Sequence, residues 1–182
     1  MSYKSSLIIN ACMITVSQCA LIVGYLKRRQ PGKAASNFLA WLLITSFLFY
    51  IDYFKLYVPV FIITCFIITV IGHFFLGNYL DLYHKSKIYD RWLHLFGAFS
   101  FSLLVFSILN SAVLPFPNND FYMSFFVVTL GISIGTLFEI LEFIHDIASK
   151  KPRCQHGLMD TDYDMLFNLL GSIIAGFAVR LL

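Results

Sequence analysis

Two glutamates, Glu139 and Glu142, lie inside an apolar run that extends from Val127 to Ile144. A carboxylate at the centre of a membrane helix costs about 2.5–3.5 kcal/mol on insertion scales, so such residues are kept where they have a function. We therefore expect the working part of this protein to be polar, buried and close to this segment.

Helical geometry places these acids on one face. At 100° per residue, one stripe of about 80° holds two small residues followed by three acids: Gly131, Gly135, Glu139, Glu142 and Asp146. Small residues let a neighbouring helix approach closely, and the acids then point into a bundle rather than at lipid.

Two further polar stripes lie toward the same end of their predicted helices. One consists of Asp160, Asp164, Asn168, Gly171 and Ala175, and the other of Asp90, His94 and Ala98 with Arg91 beside it. Short connections make the helices that carry the three stripes antiparallel neighbours. The sequence therefore predicts that these polar groups converge.

A histidine with several carboxylates and an amide supports two kinds of chemistry. Oxygen ligands with one imidazole suit a divalent cation such as Mg, Mn or Zn, which polarises a phosphoryl oxygen or activates water. The same groups could relay protons, because histidine exchanges a proton near neutral pH. The chain has no serine triad, HExxH, Walker loop, GxSxG or dinucleotide-binding motif.

Our leading interpretation is a metal-dependent hydrolase or transferase that acts on a lipid or a lipid-linked phosphate. The metal ligands are His94, Glu142, Asp160 and Asp164. Arg91 and Asn168 contact the substrate, and Glu139 is the acid or base. The main alternative is a small proton-coupled transporter or flippase. A second alternative is a non-catalytic membrane interaction or immunity-type protein whose buried pairs only fix helix packing.

Several of these residues also have a purely structural interpretation. Asp90 and Asp160 stand where helices begin and are good N-caps, and the helix dipole favours Asp164 in a first turn. His94 could be a buried histidine with satisfied hydrogen bonds. Capping does not explain Glu139 or Glu142, although pairing with Arg91 or a histidine could.

The elements that position these residues are membrane helices. Of the 182 residues, 59% are hydrophobic and 13% are charged, and the mean hydropathy is +0.77. Apolar stretches of about 20 residues, the length needed to cross a bilayer, recur along the chain. We predict an all-α, polytopic, six-helix bundle that forms a single transmembrane domain over residues 1–182, with spans at about 6–26, 35–54, 58–80, 92–114, 121–146 and 163–181.

The distribution of cations predicts the topology. Ten of the 13 lysines and arginines lie in three alternate loops, at 27–33, 81–91 and 147–162, whereas Lys4, Lys55 and Arg180 lie on the other side. The positive-inside rule puts the three basic loops in the cytoplasm and both termini outside. The net charge of +3 then reflects topology and contact with membrane lipids, and no nucleic-acid partner is needed.

Three sequence blocks resemble the YjdF family of small bacterial inner-membrane proteins. They are Tyr89-Asp90-Arg91-Trp92-Leu93-His94, then Glu139-Ile140-Leu141-Glu142-Phe143, and then Gln155 followed by Asp160-Thr161-Asp162-Tyr163-Asp164-Met165 and Gly171. A looser likeness is to VanZ-like membrane proteins. The match covers residues 89 onward, and the first three spans resemble the family only in hydropathy.

The resemblance implies a bacterial cytoplasmic-membrane location but no particular activity. VanZ-like proteins are associated with tolerance of glycopeptide antibiotics, which connects them with the cell envelope. The chain departs from the family at Gln155-His156-Gly157, where relatives tend to have Gln-Gly-Asp. An acidic group of the family is therefore missing from this loop.

Overall fold

The computed structural model describes residues 2–86, 88–113, 115, 117, 119–149 and 157–182. Within these residues the chain is helical and contains no β-strand. The helices are α1 Tyr3–Lys27, α2 Pro31–Tyr53, α3 Val60–Ile71, α4 Leu82–Lys85, α5 Tyr89–Ala112, α6 Asp120–Ser149 and α7 Leu158–Ala178. Six helical segments are long and apolar enough to cross a membrane, which confirms the predicted all-α class and the predicted number of spans.

The chain forms two compact units, Met1–Lys85 and Ser86–Leu182. In the first unit α1 and α2 form a hairpin, and Trp41 Nε1 donates a hydrogen bond of 3.0 Å to Thr15 Oγ1 between them. Helix α3 packs on α1, where Asn10 Nδ2 donates to Thr64 Oγ1 at 3.2 Å. The single transmembrane domain expected from the sequence remains a prediction.

The third span departs from the uniform helix that its hydropathy predicts. After Ile71 the backbone continues as a π-helical segment, Gly72–Tyr79. Asn78 Nδ2 donates to the carbonyl of His73, five residues earlier, at 3.1 Å, and lies 3.1 Å from Nε2 of the same ring. This side chain therefore reinforces the wider turn, whose backbone bonds also span five residues.

The second unit is a packed set of three helices, α5, α6 and α7. Helix α5 begins at Tyr89, so Arg91 lies in the helix rather than in the preceding loop. The N-cap positions of α5 and α7 are Ile88 and Gly157, and neither makes a side-chain capping bond. The N-cap interpretation of Asp90 and Asp160 is therefore wrong. Both acids lie in first turns, where the helix dipole favours them.

Small residues set the spacing of these three helices. A Cβ at Gly135 of α6 would lie 2.6 Å from Asn168 Cγ of α7, and a Cβ at Gly131 would collide with Ser172. On α7, Gly171 lies directly against the backbone carbonyl of Leu95 in α5. These contacts confirm that the glycine stripe of α6 and Gly171 of α7 admit close neighbours.

The helices of the second unit run antiparallel in sequence order. Arg180, beyond the C-terminal end of α7, donates from Nε to Ser124 Oγ near the start of α6 at 2.9 Å. The start of α5, the end of α6 and the start of α7 consequently lie together at the opposite end of the unit. The predicted polar residues of α5 and α6 lie toward that end, and those of α7 extend from its first turn to Asn168 at its middle.

Candidate functional site

His94, in the second turn of α5, is the centre of the polar cluster. Its Nε2 lies 3.5 Å from Asp90 Oδ1, and its Nδ1 lies 3.7 Å from Glu139 Oε1 of α6. The side chains of His94 and Glu139 are only 9% and 6% exposed. The imidazole therefore stands between two acids, one from its own helix and one from the next.

Among the residues that the structure describes, two groups of possible metal ligands share this histidine. The first is Asp90, His94 and Asp164, and the second is His94, Glu139 and Glu142. Within each group, one nitrogen or oxygen from each residue lies within 4.8 Å of the others. Helices α5, α6 and α7 thus bring together the polar stripes that the sequence predicted to converge.

The separations suit a bound cation better than direct hydrogen bonds. A nitrogen to oxygen hydrogen bond is about 2.7–3.2 Å long, and the two histidine to carboxylate distances of 3.5 and 3.7 Å exceed this range. Two ligands bonded at about 2.1 Å to a tetrahedral ion lie about 3.4 Å apart. His94 and each of these carboxylates therefore lie close enough to bind one small divalent cation.

Two buried polar atoms on α7 lack a partner within the described chain, and a bound ligand would supply one. Asp164 is 2% exposed and Asn168 is 4% exposed, yet Asp164 Oδ1 and Asn168 Nδ2 have no hydrogen-bond partner among the residues that the structure describes. A buried polar group without a partner costs about 1–3 kcal/mol. A cation or polar ligand at Asp164 would offset this cost, so the residues present fit a divalent metal.

Arg91 lies at the edge of the cluster and stacks on α7. Its guanidinium carbon is 4.0 Å from the centre of the Tyr163 ring, and its Nε has no hydrogen-bond partner within the described part of the chain. The cation–π contact orients the guanidinium fork, which is the group best suited to bind phosphate. The predicted phosphate-binding residue therefore stacks on Tyr163, the residue that precedes the predicted metal ligand Asp164.

Some of the sequence-predicted residues belong to the ligand groups in the structure, and others do not. His94, Glu142 and Asp164, predicted as ligands, and Glu139, predicted as acid or base, all belong to the ligand groups. Asp160 belongs to neither group and lies half-buried in the first turn of α7. Asn168 is buried one turn beyond Asp164.

Sequence reasoning did not identify two contributors, Asp90 as a ligand and Tyr163 as a partner of Arg91. It placed Asp90 on one helix face with His94 by their i, i+4 spacing but interpreted the acid as a possible cap. The stacking of Arg91 on Tyr163 joins two helices, and no spacing within either helix indicates it. The segment Gln155-His156, where the chain departs from the family, lies outside the described residues.

The cluster carries a large excess of negative charge when its acids are ionised. Apart from Asp146, the three stripes hold five carboxylates, Asp90, Glu139, Glu142, Asp160 and Asp164, against the single guanidinium of Arg91. Carboxylates so close together in a medium of low dielectric constant repel each other strongly. The arrangement favours a cationic ligand and disfavours a bare anion.

Comparison with known proteins places the chain in a family without a described activity. An uncharacterized protein of Thermotoga maritima is 33% identical over 105 residues, which cover 57% of this chain and 53% of that protein. The match thus spans about half the length of this curated relative. No solved structure matches the chain. The family model of a predicted membrane protein, DUF2238, matches residues 9–182, and the chain belongs to this family of membrane proteins.

Proposed function

We propose that this protein is a divalent-cation-dependent hydrolase or transferase that acts on a lipid or a lipid-linked phosphate. The observation that carries the proposal is the group of carboxylates from α5, α6 and α7 around His94, with the buried Asp164 Oδ1 lacking a partner within the described residues. Mg, Mn and Zn fit a donor set of oxygens with one imidazole.

The charge balance of the cluster explains why a cation is needed. A phosphate group approaching five carboxylates is repelled unless positive charge is supplied first. A bound divalent cation supplies this charge and can polarise a phosphoryl oxygen or activate water. His94 would hold it, either with Asp90 and Asp164 or with Glu142 and Glu139. Asp160 would add negative charge at the start of α7.

The other residues act on the substrate. Arg91, held flat by Tyr163, binds phosphate oxygens through its two-pronged guanidinium. Asn168 donates its unpartnered Nδ2 hydrogens to the substrate. Glu139 lies 3.7 Å from His94 Nδ1 and is 6% exposed, so it can take up or deliver a proton where water is largely excluded.

The proposed location is the cytoplasmic membrane of a bacterium. The likeness to YjdF proteins and the bacterial origin of the relative support it. The substrate is then a membrane lipid that enters sideways through the exposed apolar surface of the second unit, where Trp92, Phe143 and Met159 are more than half exposed.

The substitution Glu142→Gln tests the function because it keeps the shape and removes a ligand charge. We expect purified wild-type protein to retain Mn²⁺ and to release phosphate from phosphatidic acid or a polyprenyl diphosphate. The variant should lose this activity while its expression and melting temperature stay near those of the wild type. For Glu139→Gln we expect a loss of about 10²–10⁴-fold, the usual contribution of an acid or base.

Asp146→Asn is the matched control, since Asp146 lies on the same stripe of α6 but belongs to neither ligand group. It should keep activity. Full activity of the Glu142 variant would contradict the proposal. If the wild type releases no phosphate and the Glu142 variant loses proton-driven substrate movement, the transporter is favoured instead. If the Glu142 variant only loses much of its stability, a structural role is favoured.

The proposed topology has both termini outside and the basic loops inside. Cys154, in the loop at 147–162, should resist a membrane-impermeant maleimide in intact spheroplasts and react after permeabilisation. A Ser2→Cys variant in a Cys154→Ser background should show the opposite pattern. Labelling of Cys154 in intact cells would contradict the orientation.

A further inference from the structure

The two ring nitrogens of His94 face different acids. Asp90 lies on the Nε2 side and Glu139 on the Nδ1 side. Asp164 belongs with Asp90 to one ligand group, and Glu142 belongs with Glu139 to the other. Because Asp164 is grouped with Asp90 and Glu142 with Glu139, we assign one pair of carboxylates to each ring nitrogen of His94, and so to each of two edges of the ring.

A neutral imidazole can use only one of these edges for a metal at a time. It has one nitrogen with a lone pair, and the other nitrogen carries a proton. When one nitrogen binds a metal, the N–H of the other is normally donated to a carboxylate, which fixes the ring. In this cluster either edge supplies the ligands, and the opposite edge supplies the carboxylate that accepts the N–H.

We propose, building on the metal-dependent function above, that the cluster offers one divalent cation two alternative positions, one at each edge of the His94 ring. The first position is formed by Asp90, Asp164 and His94 Nε2. The second is formed by Glu139, Glu142 and His94 Nδ1. Occupancy of one position excludes the other, because the ring has one lone pair to give.

The two positions differ in their surroundings. Asp164 is 2% exposed and its Oδ1 has no partner among the described residues. A cation at the first position would supply this partner. The second position lies on α6, where Glu142 is less buried than Glu139. A cation that moves between the edges carries positive charge from α7 toward α6 and leaves Asp164 and Asn168 open to a polar substrate.

Paired substitutions test this proposal in the full-length protein, with Mn²⁺ as the probe. The variants are Asp90→Asn with Asp164→Asn, Glu139→Gln with Glu142→Gln, and all four together. We expect the wild type to bind one Mn²⁺ per chain by electron paramagnetic resonance titration. Each paired variant should still bind one Mn²⁺ about 10–100-fold more weakly, and the fourfold variant should bind none.

Three results would overturn the two positions. One is complete loss of binding in either paired variant that still melts cooperatively, because that result shows a single position. Another is simultaneous binding of two Mn²⁺ ions by the wild type. The third is wild-type protein that binds no Mn²⁺, which also removes the proposed function. If the wild type binds Mn²⁺ but releases no phosphate, the proposed enzyme activity is contradicted and the two cation positions are not.

The single variants Asp164→Asn and Glu142→Gln serve if the paired variants do not fold. With Co²⁺ in place of Mn²⁺, they should give two different visible absorption spectra, and the wild-type spectrum should be a weighted sum of both. A wild-type spectrum identical to that of either single variant would contradict the proposal.

Discussion

The substitution His94→Gln is expected to reduce the affinity for Mn²⁺ by more than about 100-fold. His94 is the residue common to both ligand groups, so its loss affects every cation position of the cluster. Substitution of a residue that merely supports a metal ligand already costs about 10–100-fold in affinity. Isothermal titration of the purified protein measures the change.

The fold should survive this change, since the glutamine amide is polar and can donate hydrogen bonds to the neighbouring carboxylates. We expect the free energy of unfolding without cation to change by no more than about 1 kcal/mol. With Mn²⁺ at a hundredfold excess over its dissociation constant, the wild type should gain about 2.7 kcal/mol of stability. The variant should gain almost none, and a thermal unfolding scan with and without Mn²⁺ distinguishes the two.

His145→Gln is the matched control. His145 lies on α6 one turn beyond Leu141, its side chain is 58% exposed, and it belongs to neither ligand group. It should bind Mn²⁺ as the wild type does. Equal affinity in the His94 variant and this control would show that the imidazole is a packing residue, and the metal proposal would fail.

Gly171→Ala is expected to weaken both the fold and the site. The added methyl group meets the backbone carbonyl of Leu95, which cannot rotate away as a side chain can. Overpacking of this kind costs about 1–3 kcal/mol. Because Leu95 follows His94 directly, a separation of α5 from α7 also moves the imidazole away from Asp164.

The expected result is a lower melting temperature together with an affinity for Mn²⁺ reduced by about 10–100-fold, the range for displaced ligand support. Gly32→Ala is the control, because nothing lies within 4 Å of a Cβ at that position. In the helix α2 it should stabilise by about 0.5–1 kcal/mol. Unchanged Mn²⁺ affinity in a destabilised Gly171 variant would show that the α5–α7 spacing does not position the ligands.

The chain's alternative functions differ in what they require of the same residues. A proton-coupled transporter needs Glu139 and Glu142 to exchange protons with both sides of the membrane, and a packing role needs only that each acid has a partner. The buried Asp164 Oδ1, without a partner in the described part of the chain, speaks against a role in packing alone. The Mn²⁺ measurements on the His94 and Gly171 variants bear directly on this choice.

The features that depend on one helix at a time could be predicted from the amino-acid sequence. Hydropathy over about 20 residues gave six spans, since the bilayer fixes that length. The 3.6-residue period placed Glu139 and Glu142 on the stripe of Gly131 and Gly135, and this stripe does face α7. The i, i+4 spacing likewise brought Asp90 next to His94.

The contacts between helices could not be predicted from the sequence and are known from the folded chain. The pairing of His94 with Glu139, the stacking of Arg91 on Tyr163 and the exclusion of Asp160 from the ligand groups depend on the rotation and axial offset of α5, α6 and α7. In a membrane the lipid tails are as apolar as the core, so hydrophobicity does not reveal how a helix is rotated. Backbone contacts such as Gly171 with Leu95 fix these offsets, and they arise only when the helices are packed together.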